Sequence, residues 1–213
     1  MPFSFPRVYP ILDSSFIPAA GRAGFLRALG HSLTDAGVTL LEYRNKNGSD
    51  AEILADAEIL REALPAGMVK LILDDRVDLV VQAGFDGVHV DAGDCSPSEA
   101  RALLGPQRIV GTFGGSEALV PGILGEPVDY FSIGPIGHST TKQTFKPPIG
   151  IGGVRRLRAA AGPEPILVAA GGVTLALAPR LIEAGANVVA VSAALFSAAN
   201  PAQEFRRWMA AMA

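Results

Sequence analysis

The chain has 213 residues, of which 49% are hydrophobic and 18% charged, so it can bury the core of one domain and is not a disordered protein. Its formal net charge of −3 excludes a broad basic surface for nucleic acid or anionic lipid, and an anionic ligand therefore needs a local site. The single cysteine excludes an internal disulfide framework and a cysteine metal cluster.

The N-terminal segment Met1–Arg7 lacks a basic start followed by an apolar run, so we expect no signal peptide. No stretch reaches the ~18 continuous apolar residues that a membrane helix needs. We therefore expect a cytoplasmic protein with no membrane or nucleic-acid partner, and a homodimer is left open.

Short β-type runs alternate with longer helical patterns, which are clearest in Asp50–Leu64, Ser96–Leu104 and Thr174–Ala184. Eight such runs, each followed by a helical segment, predict a single α/β domain over residues 1–213, a parallel eight-stranded (β/α)₈ TIM barrel. An open doubly wound sheet is the alternative. The candidate strands are Val8–Leu12, Thr39–Arg44, Val69–Asp74, Gly87–Val90, Arg108–Thr112, Tyr130–Ile133, Ile166–Ala170 and Val188–Val191.

The second candidate strand ends in charged residues, at the end of a barrel where ligands bind. Strand alternation places Glu42, Arg44 and Lys46 on one face. Charges that face into a barrel are costly unless they are paired or used, and Arg44 with Lys46 would suit a pyrophosphate. In the alternative interpretation, Arg44 merely neutralises Glu42 and Lys46 is solvated.

Acidic residues follow the third and fourth strands. Asp74 and Asp75 come directly after an apolar run and project to different sides, and Asp94 lies at the neighbouring strand end. Carboxylate oxygens suit Mg²⁺, so Asp75 and Asp94 predict a metal site. The alternative is that these aspartates cap the helical segments that follow, as Asp94 would near Ser96.

The last strand ends carry groups suited to an anion. The segment after the sixth strand offers glycines, hydroxyls and Lys142, with His138 as an acid–base group or a phosphate contact. Gly171 and Gly172 follow the seventh strand and Ser192 follows the eighth, which is the usual position of a phosphate site in these barrels. His89, flanked by valines, is expected to be a hydrogen-bonded interior histidine.

These segments together resemble the thiamine-phosphate synthase family, from Tyr9-Pro10-Ile11-Leu12-Asp13 to Val191-Ser192. The matching pieces are Tyr43-Arg44-Asn45-Lys46, Asp75-Arg76, Gly87-Val88-His89, Asp94, Gly134-Pro135-Ile136, Thr141-Lys142 and Gly171-Gly172. The family joins an aminopyrimidine methyl pyrophosphate to a thiazole phosphate and releases pyrophosphate. The resemblance implies that Arg44, Lys46 and Lys142 hold the pyrophosphate and that Asp75 and Asp94 hold Mg²⁺. It also implies a thiazole phosphate site made of Ser139, Thr141, Gly171, Gly172 and Ser192.

Two substrate-binding positions depart from the family pattern. The family has glutamine at the position of Glu42 and asparagine at that of Asp74. If Glu42 pairs with Arg44, it draws the arginine away from the diphosphate, and if it does not, a carboxylate could bind a protonated aminopyrimidine. We expect the first outcome and therefore slow synthesis from the ordinary precursors.

Two other functions remain as alternatives. A related branch isomerises the thiazole phosphate with a histidine just after the strand-six glycine, where this chain has Pro135, and it commonly lacks the metal aspartates. A barrel that binds a phosphorylated ligand without catalysis is the other alternative.

Overall fold

The computed structural model describes residues 3–91, 93, 95–115, 124–138 and 146–212. Within them, eight parallel strands pair in chain order, and β1 closes the barrel on β8. The strands are β1 (Val8–Asp13), β2 (Leu40–Arg44), β3 (Lys70–Asp74), β4 (Gly87–Val90), β5 (Ile109–Gly115), β6 (Tyr130–Ile133), β7 (Leu167–Ala169) and β8 (Val188–Val191). The predicted (β/α)₈ barrel is confirmed and the open-sheet alternative is wrong.

Helices follow most strands. They are α1 (Arg22–Asp35), α2 (Asp50–Ala63), α3 (Pro97–Leu104), α4 (Gly150–Ala161), α5 (Ala178–Glu183), α6 (Ala193–Phe196) and α7 (Pro201–Ala211), with 3₁₀ turns at Ser14–Phe16 and Val77–Leu79. Helix α5 begins later than the predicted Thr174 and has Pro179 in its first turn. The missing N–H of a proline costs no hydrogen bond there, because the N–H groups of a first turn have no partner within the helix. No helix of the described residues is long and apolar enough to cross a membrane.

Strand alternation divides the apolar residues between two cores. Outward side chains such as Leu41 and Leu73 pack with helix residues such as Leu26 and Leu60. The inward side chains form a second cluster, made of Tyr9, Leu40, Ile72, Ile109, Tyr130, Val168, Val188 and Ala190. Phe5 packs edge-on against Tyr130 below this cluster, with ring centroids 5.5 Å apart. The barrel interior is therefore filled, and its ligand cavity lies towards the carboxyl ends of the strands.

Candidate active site

A cavity of about 270 Å³ lies at the carboxyl ends of the strands. Charged, phenolic and imidazole side chains from the first four strands form one wall: Tyr9, Asp13, Glu42, Arg44, Asp74, His89 and Asp91. Glycines, small residues and one histidine form the opposite wall: His138, Gly171, Gly172, Ser192, Ala193 and Ala194. Seven of the predicted site residues thus line one cavity, whereas Lys46 lines an adjoining cleft and Asp75 lines neither. The predicted residues Asp94, Ser139, Thr141 and Lys142 lie outside the described residues.

Arg44 and Lys46, the predicted cations, are both held by carboxylates. Arg44 forms an ion pair with Asp13, and its Nε lies 3.2 Å from Asp74 Oδ2. Lys46 lies against Asp75, and its Nζ is 3.4 Å from the same Asp74 oxygen. Asp74 Oδ2 has no hydrogen-bond partner in the described part of the chain, because neither cation meets it in hydrogen-bond geometry. Asp74 Oδ2 therefore lies within ion-pair distance of both cations without accepting a hydrogen bond from either.

Glu42 does not pair with Arg44, although both residues are described, so the expected ion pair is wrong. The β1–β2 register places Asp13 opposite Arg44 and Ile11 opposite Glu42, and the arginine therefore meets the aspartate on the neighbouring strand. Glu42 is only 3% exposed, and its Oε2 accepts a 2.9 Å hydrogen bond from the Tyr9 hydroxyl. An ion pair between Glu42 and Arg44 therefore cannot be the cause of slow synthesis.

A chain of hydrogen-bonding groups continues from Glu42 across the barrel. The hydroxyls of Tyr9 and Tyr130 are 3.2 Å apart, and the Tyr130 hydroxyl is 3.0 Å from His89 Nδ1. The His89 ring also stacks on Tyr130, and its Nε2 lies 3.9 Å from Asp91 Oδ1. The prediction of a hydrogen-bonded interior histidine is confirmed, and this histidine also lines the cavity.

The carboxyl groups in this wall favour different protonation states. Burial raises the pKa of Glu42 to about 8, and repulsion from Asp74 and Asp91 adds to that shift. Burial also raises the pKa of Asp74, and nearby positive charges offset only part of the increase. Burial acts in the same direction on Asp13, but hydrogen bonds from Ser15 and Arg44 outweigh it and lower the pKa of that residue. With a pKa of about 8, Glu42 is therefore mostly neutral near pH 7.

Asp75 has a strained backbone and an unused carboxylate oxygen. Its φ of 64° is the one positive value among the described non-glycine residues, and its N–H donates a 2.8 Å hydrogen bond to the His89 carbonyl. Asp75 Oδ1 is buried without a hydrogen-bond partner among the described residues. The following 3₁₀ turn has Arg76 at its N-cap and no side-chain cap, so the capping alternative is wrong for Asp75. Strain held at a functional position is typical of binding sites.

The alternative role predicted for Asp94 is that of a cap for helix α3, so the residue that caps this helix bears on it. Ser96 is the N-cap of this helix, and its side chain accepts a hydrogen bond from the Glu99 N–H while the Glu99 carboxylate accepts one from the Ser96 N–H. This reciprocal pair satisfies the first turn of the helix. Asp94 itself lies outside the described residues, so its role as a ligand stays a prediction.

The opposite wall is built from backbone. Gly171 and Gly172 have φ values of 80° and 70°, and a side chain at Gly172 would overlap the backbone of Gly137 and His138. The Gly137 N–H donates a 2.9 Å hydrogen bond to the Gly171 carbonyl, which ties the β6 and β7 loops together. In the same wall, after the neighbouring strand β8, Ser192 Oγ is buried without a hydrogen-bond partner in the described ranges. Buried hydroxyls are usually satisfied, so this one is suited to a ligand oxygen.

Sequence reasoning assigned no role to Tyr9, Asp13, Asp91 or Tyr130. Tyr9 and Asp13 lie at alternate positions of β1 and face inward, as Glu42 and Arg44 do on β2. The same period-two rule, applied to β1 and β6, would have found both tyrosines. Their hydrogen-bond partners depend on strand register, which the local pattern does not contain.

Comparison with known proteins gives consistent matches over most of the chain. The family model described as thiamine monophosphate synthase matches residues 8–195. The thiamine-phosphate synthase of Koribacter versatilis is 40% identical over 190 residues, 89% of each chain. That of Agrobacterium fabrum is 38% identical over 167 residues, 77% of this chain and 76% of the relative. Among solved structures, a thiamine phosphate pyrophosphorylase from Pyrococcus furiosus superposes with a TM-score of 0.79 at 22% identity, covering 96% of this chain and 95% of that one.

Proposed function

Since this chain belongs to the thiamine monophosphate synthase family, we propose that its barrel mouth couples an aminopyrimidine methyl pyrophosphate to a thiazole phosphate, with release of pyrophosphate and with Mg²⁺ as cofactor. Membership makes the protein a transferase of thiamine biosynthesis. The observation that supports the site assignment is a cavity with Arg44 in one wall and a glycine-rich wall opposite. Two phosphorylated substrates need two such anion sites.

Arg44 and Lys46 are the described residues that we assign to the leaving pyrophosphate. A guanidinium presents a planar pair of donors and an ammonium a compact charge, and both suit phosphate oxygens. Carboxylates hold both side chains, of which Arg44 lines the cavity and Lys46 lines an adjoining cleft that Arg44 also lines, so a diphosphate binds by replacing part of these ion pairs. Lys142 is the third cation by resemblance.

Asp75 fits a Mg²⁺ ligand, because its Oδ1 is a hard oxygen that is buried and without a hydrogen-bond partner among the described residues. Asp94 is the second ligand by resemblance. The described residues contain no group of three or more metal-ligating side chains. Mg²⁺ is usually held by one or two carboxylates together with substrate phosphates. When bound, Mg²⁺ supplies positive charge that stabilises the departing diphosphate.

The thiazole phosphate is assigned to the opposite wall. The left-handed turns at Gly171 and Gly172 let phosphate oxygens approach the backbone, and the Ser192 hydroxyl has an unused hydrogen bond to give. His138 is exposed at the same rim and is assigned to this phosphate. Ser139 and Thr141 join the site by resemblance.

The chemistry needs charge neutralisation and positioning more than a covalent catalyst. The bond between the pyrophosphate oxygen and the methylene carbon breaks, and the electron-rich pyrimidine stabilises the cation that remains. Arg44 and Lys46 neutralise the leaving group, while Glu42 and Asp74 orient the ring. The glycine wall holds the thiazole so that its nitrogen forms the new bond to the methylene carbon, which makes the step effectively unimolecular.

Incubation with both precursors and Mg²⁺, followed by mass spectrometry, tests the proposal. We expect thiamine phosphate and pyrophosphate in equal amounts, and an Arg44→Gln variant should lose at least about a hundredfold in rate. Arg27→Gln is the matched control, because Arg27 pairs with Glu62 at the exposed surface. Isomerised thiazole phosphate without coupling would instead indicate a tautomerase, and binding without turnover would indicate a non-catalytic barrel.

A further inference from the structure

Glu42 presents one unused carboxyl oxygen to the cavity. Its Oε2 accepts the hydrogen bond from Tyr9, whereas Oε1 makes none to any residue that the structure describes. The Tyr9 hydroxyl is itself fixed by the Tyr130 hydroxyl, which contacts His89. Tyr9, itself held by Tyr130, therefore fixes the orientation of the Glu42 carboxyl, and Oε1 remains available to a ligand.

The surroundings of Glu42 disfavour its ionised form. Asp74 and Asp91 carry the same sign of charge, and the nearest cation, Arg44, is engaged by Asp13 and Asp74. An ionised and fully buried carboxylate without an ion-pair partner is costly. Within the part of the chain that the structure describes, the titratable and charged groups that line the cavity with Glu42 are Tyr9 and Asp13 on β1, Arg44 on β2, Asp74 on β3, His89 and Asp91 near β4, Tyr130 on β6 and His138 after β6.

Resting on the proposed function, we propose that Glu42 determines specificity for the aminopyrimidine as a neutral carboxylic acid, with its Oε1–H donating to a ring nitrogen. Tyr9 already donates to Oε2, so the acid proton resides on Oε1. Oε2 keeps a second lone pair for the exocyclic amino group. A protonated carboxyl thereby offers one donor and one acceptor, the same pair that a glutamine amide offers.

The substitution of an acid for an amide makes substrate binding depend on pH. An amide keeps its donor at every pH, whereas Glu42 loses its donor when it ionises near pH 8. Ionisation also adds a negative charge beside Asp74 and Asp91. The aminopyrimidine site is therefore expected to weaken above about pH 8 in this chain, and a glutamine variant should not show this loss.

The first test compares the native protein with Glu42→Gln in KM for the pyrimidine pyrophosphate, from about pH 6.5 to about pH 9.5. The KM of the native protein divided by that of Glu42→Gln should be constant below about pH 7 and then rise about tenfold per pH unit above pH 8. The KM ratio for the thiazole phosphate should stay constant throughout. A ratio that does not change with pH for the pyrimidine substrate would overturn the proposal.

The second test needs no turnover and separates this inference from the proposed function. Titration calorimetry with 4-amino-5-hydroxymethyl-2-methylpyrimidine, repeated in buffers of different ionisation enthalpy, counts the protons taken up on binding. Near pH 9 the native protein should take up close to one proton, and Glu42→Gln none. Proton uptake without any coupling activity would refute the synthase function but support the role of Glu42. Binding without uptake, or no binding, overturns that role.

Discussion

The ring of Tyr130 lies over the α-carbon of Gly111, its partner on the neighbouring strand, so that a β-carbon at Gly111 would overlap the phenol. Gly111→Ala should push Tyr130 away from Tyr9 and His89 and overpack the barrel. We expect a loss of about 1 to 3 kcal/mol in the free energy of unfolding, seen as a fall of roughly 3–10 °C in Tm.

Gly24→Ala is the control for this substitution. Gly24 lies in helix α1, and a β-carbon there meets nothing within 4 Å. This change should leave Tm unchanged or raise it slightly, because alanine favours a helix. A Gly111→Ala protein as stable as the native one would show that Tyr130 is not fixed by this contact.

Stability should also depend on pH through Glu42. The pKa of Glu42 is about 8 in the folded protein and ordinarily 4.5. Below about pH 4.5 the group is therefore protonated in both the folded and the unfolded protein, and its contribution to the free energy of unfolding is fully present. Between those values the unfolded chain ionises and the folded one does not, and the free energy of unfolding falls as the pH rises. The total loss is about 3 to 5 kcal/mol by pH 9.

Urea denaturation at several pH values measures this effect as a difference between proteins. Relative to the native chain, Glu42→Gln should become progressively more stable as the pH rises from about 5 to about 9. Glu62→Gln, an exposed substitution of the same kind, should run parallel to the native protein. Parallel curves for Glu42→Gln as well would mean that Glu42 has an ordinary pKa.

Asp74→Asn should strengthen diphosphate binding. The Asp74 carboxylate contacts both Arg44 and Lys46 and so competes with a diphosphate for them. Slow synthesis from the ordinary precursors therefore stays a prediction, with Asp74 rather than Glu42 as its cause. We expect pyrophosphate to bind about fivefold more tightly, equivalent to about 1 kcal/mol, and kcat/KM to rise by a similar factor.

Asp78→Asn provides the matched change of charge, since Asp78 is exposed and pairs with Arg76 outside the cavity. It should change pyrophosphate affinity little. Calorimetric titration of pyrophosphate into each variant decides the question, and weaker binding by Asp74→Asn would mean that Asp74 supports the two cations rather than competing for them.

The metal assignment predicts a shared loss in two variants. In the native protein Mg²⁺ should increase pyrophosphate affinity. In Asp75→Asn or Asp94→Ala, the factor by which Mg²⁺ increases this affinity should be at least about tenfold smaller. Asp78→Asn again serves as control. If either aspartate variant keeps the full effect of Mg²⁺ in titrations with and without EDTA, that residue is not a ligand.

The sequence contained enough to predict the barrel because most strands are short apolar runs ended by glycine, proline or a charged residue. The bounds of β4, β6 and β8 agree with prediction, since clear turn residues flank these runs. Other ends moved by a few residues. In β5 the register shifts between Phe113 and Gly115, and pairing extends past the predicted Thr112.

The candidate site was predictable as a set of residues but not as a set of pairs. Alternation correctly placed Glu42 and Arg44 on the inward face. Residues two apart on one strand are separated by about 6.6 Å, however, whereas neighbouring strands lie about 4.8 Å apart, so an inward charge tends to meet its partner on the next strand. That partner, Asp13, follows from the β1–β2 register, which exists only once the barrel closes.

Gly172→Ala should specifically damage the thiazole phosphate site. The residue has a φ of 70°, and an added β-carbon would overlap the backbone of Gly137 and His138, so the β6 loop must move away from the β7 turn. A misplacement of about 1 Å in a positioning loop commonly costs on the order of a hundredfold in rate. Gly162→Ala also places an alanine at a positive φ, here 75°, but its β-carbon meets nothing within 4 Å, and Gly162 precedes β7 at the end of helix α4 whereas Gly172 follows β7. We therefore expect both variants to lose stability, but only Gly172→Ala to raise KM for the thiazole phosphate, with KM for the pyrimidine pyrophosphate unchanged in both. Equal effects of the two substitutions on KM would place the thiazole phosphate somewhere other than this wall.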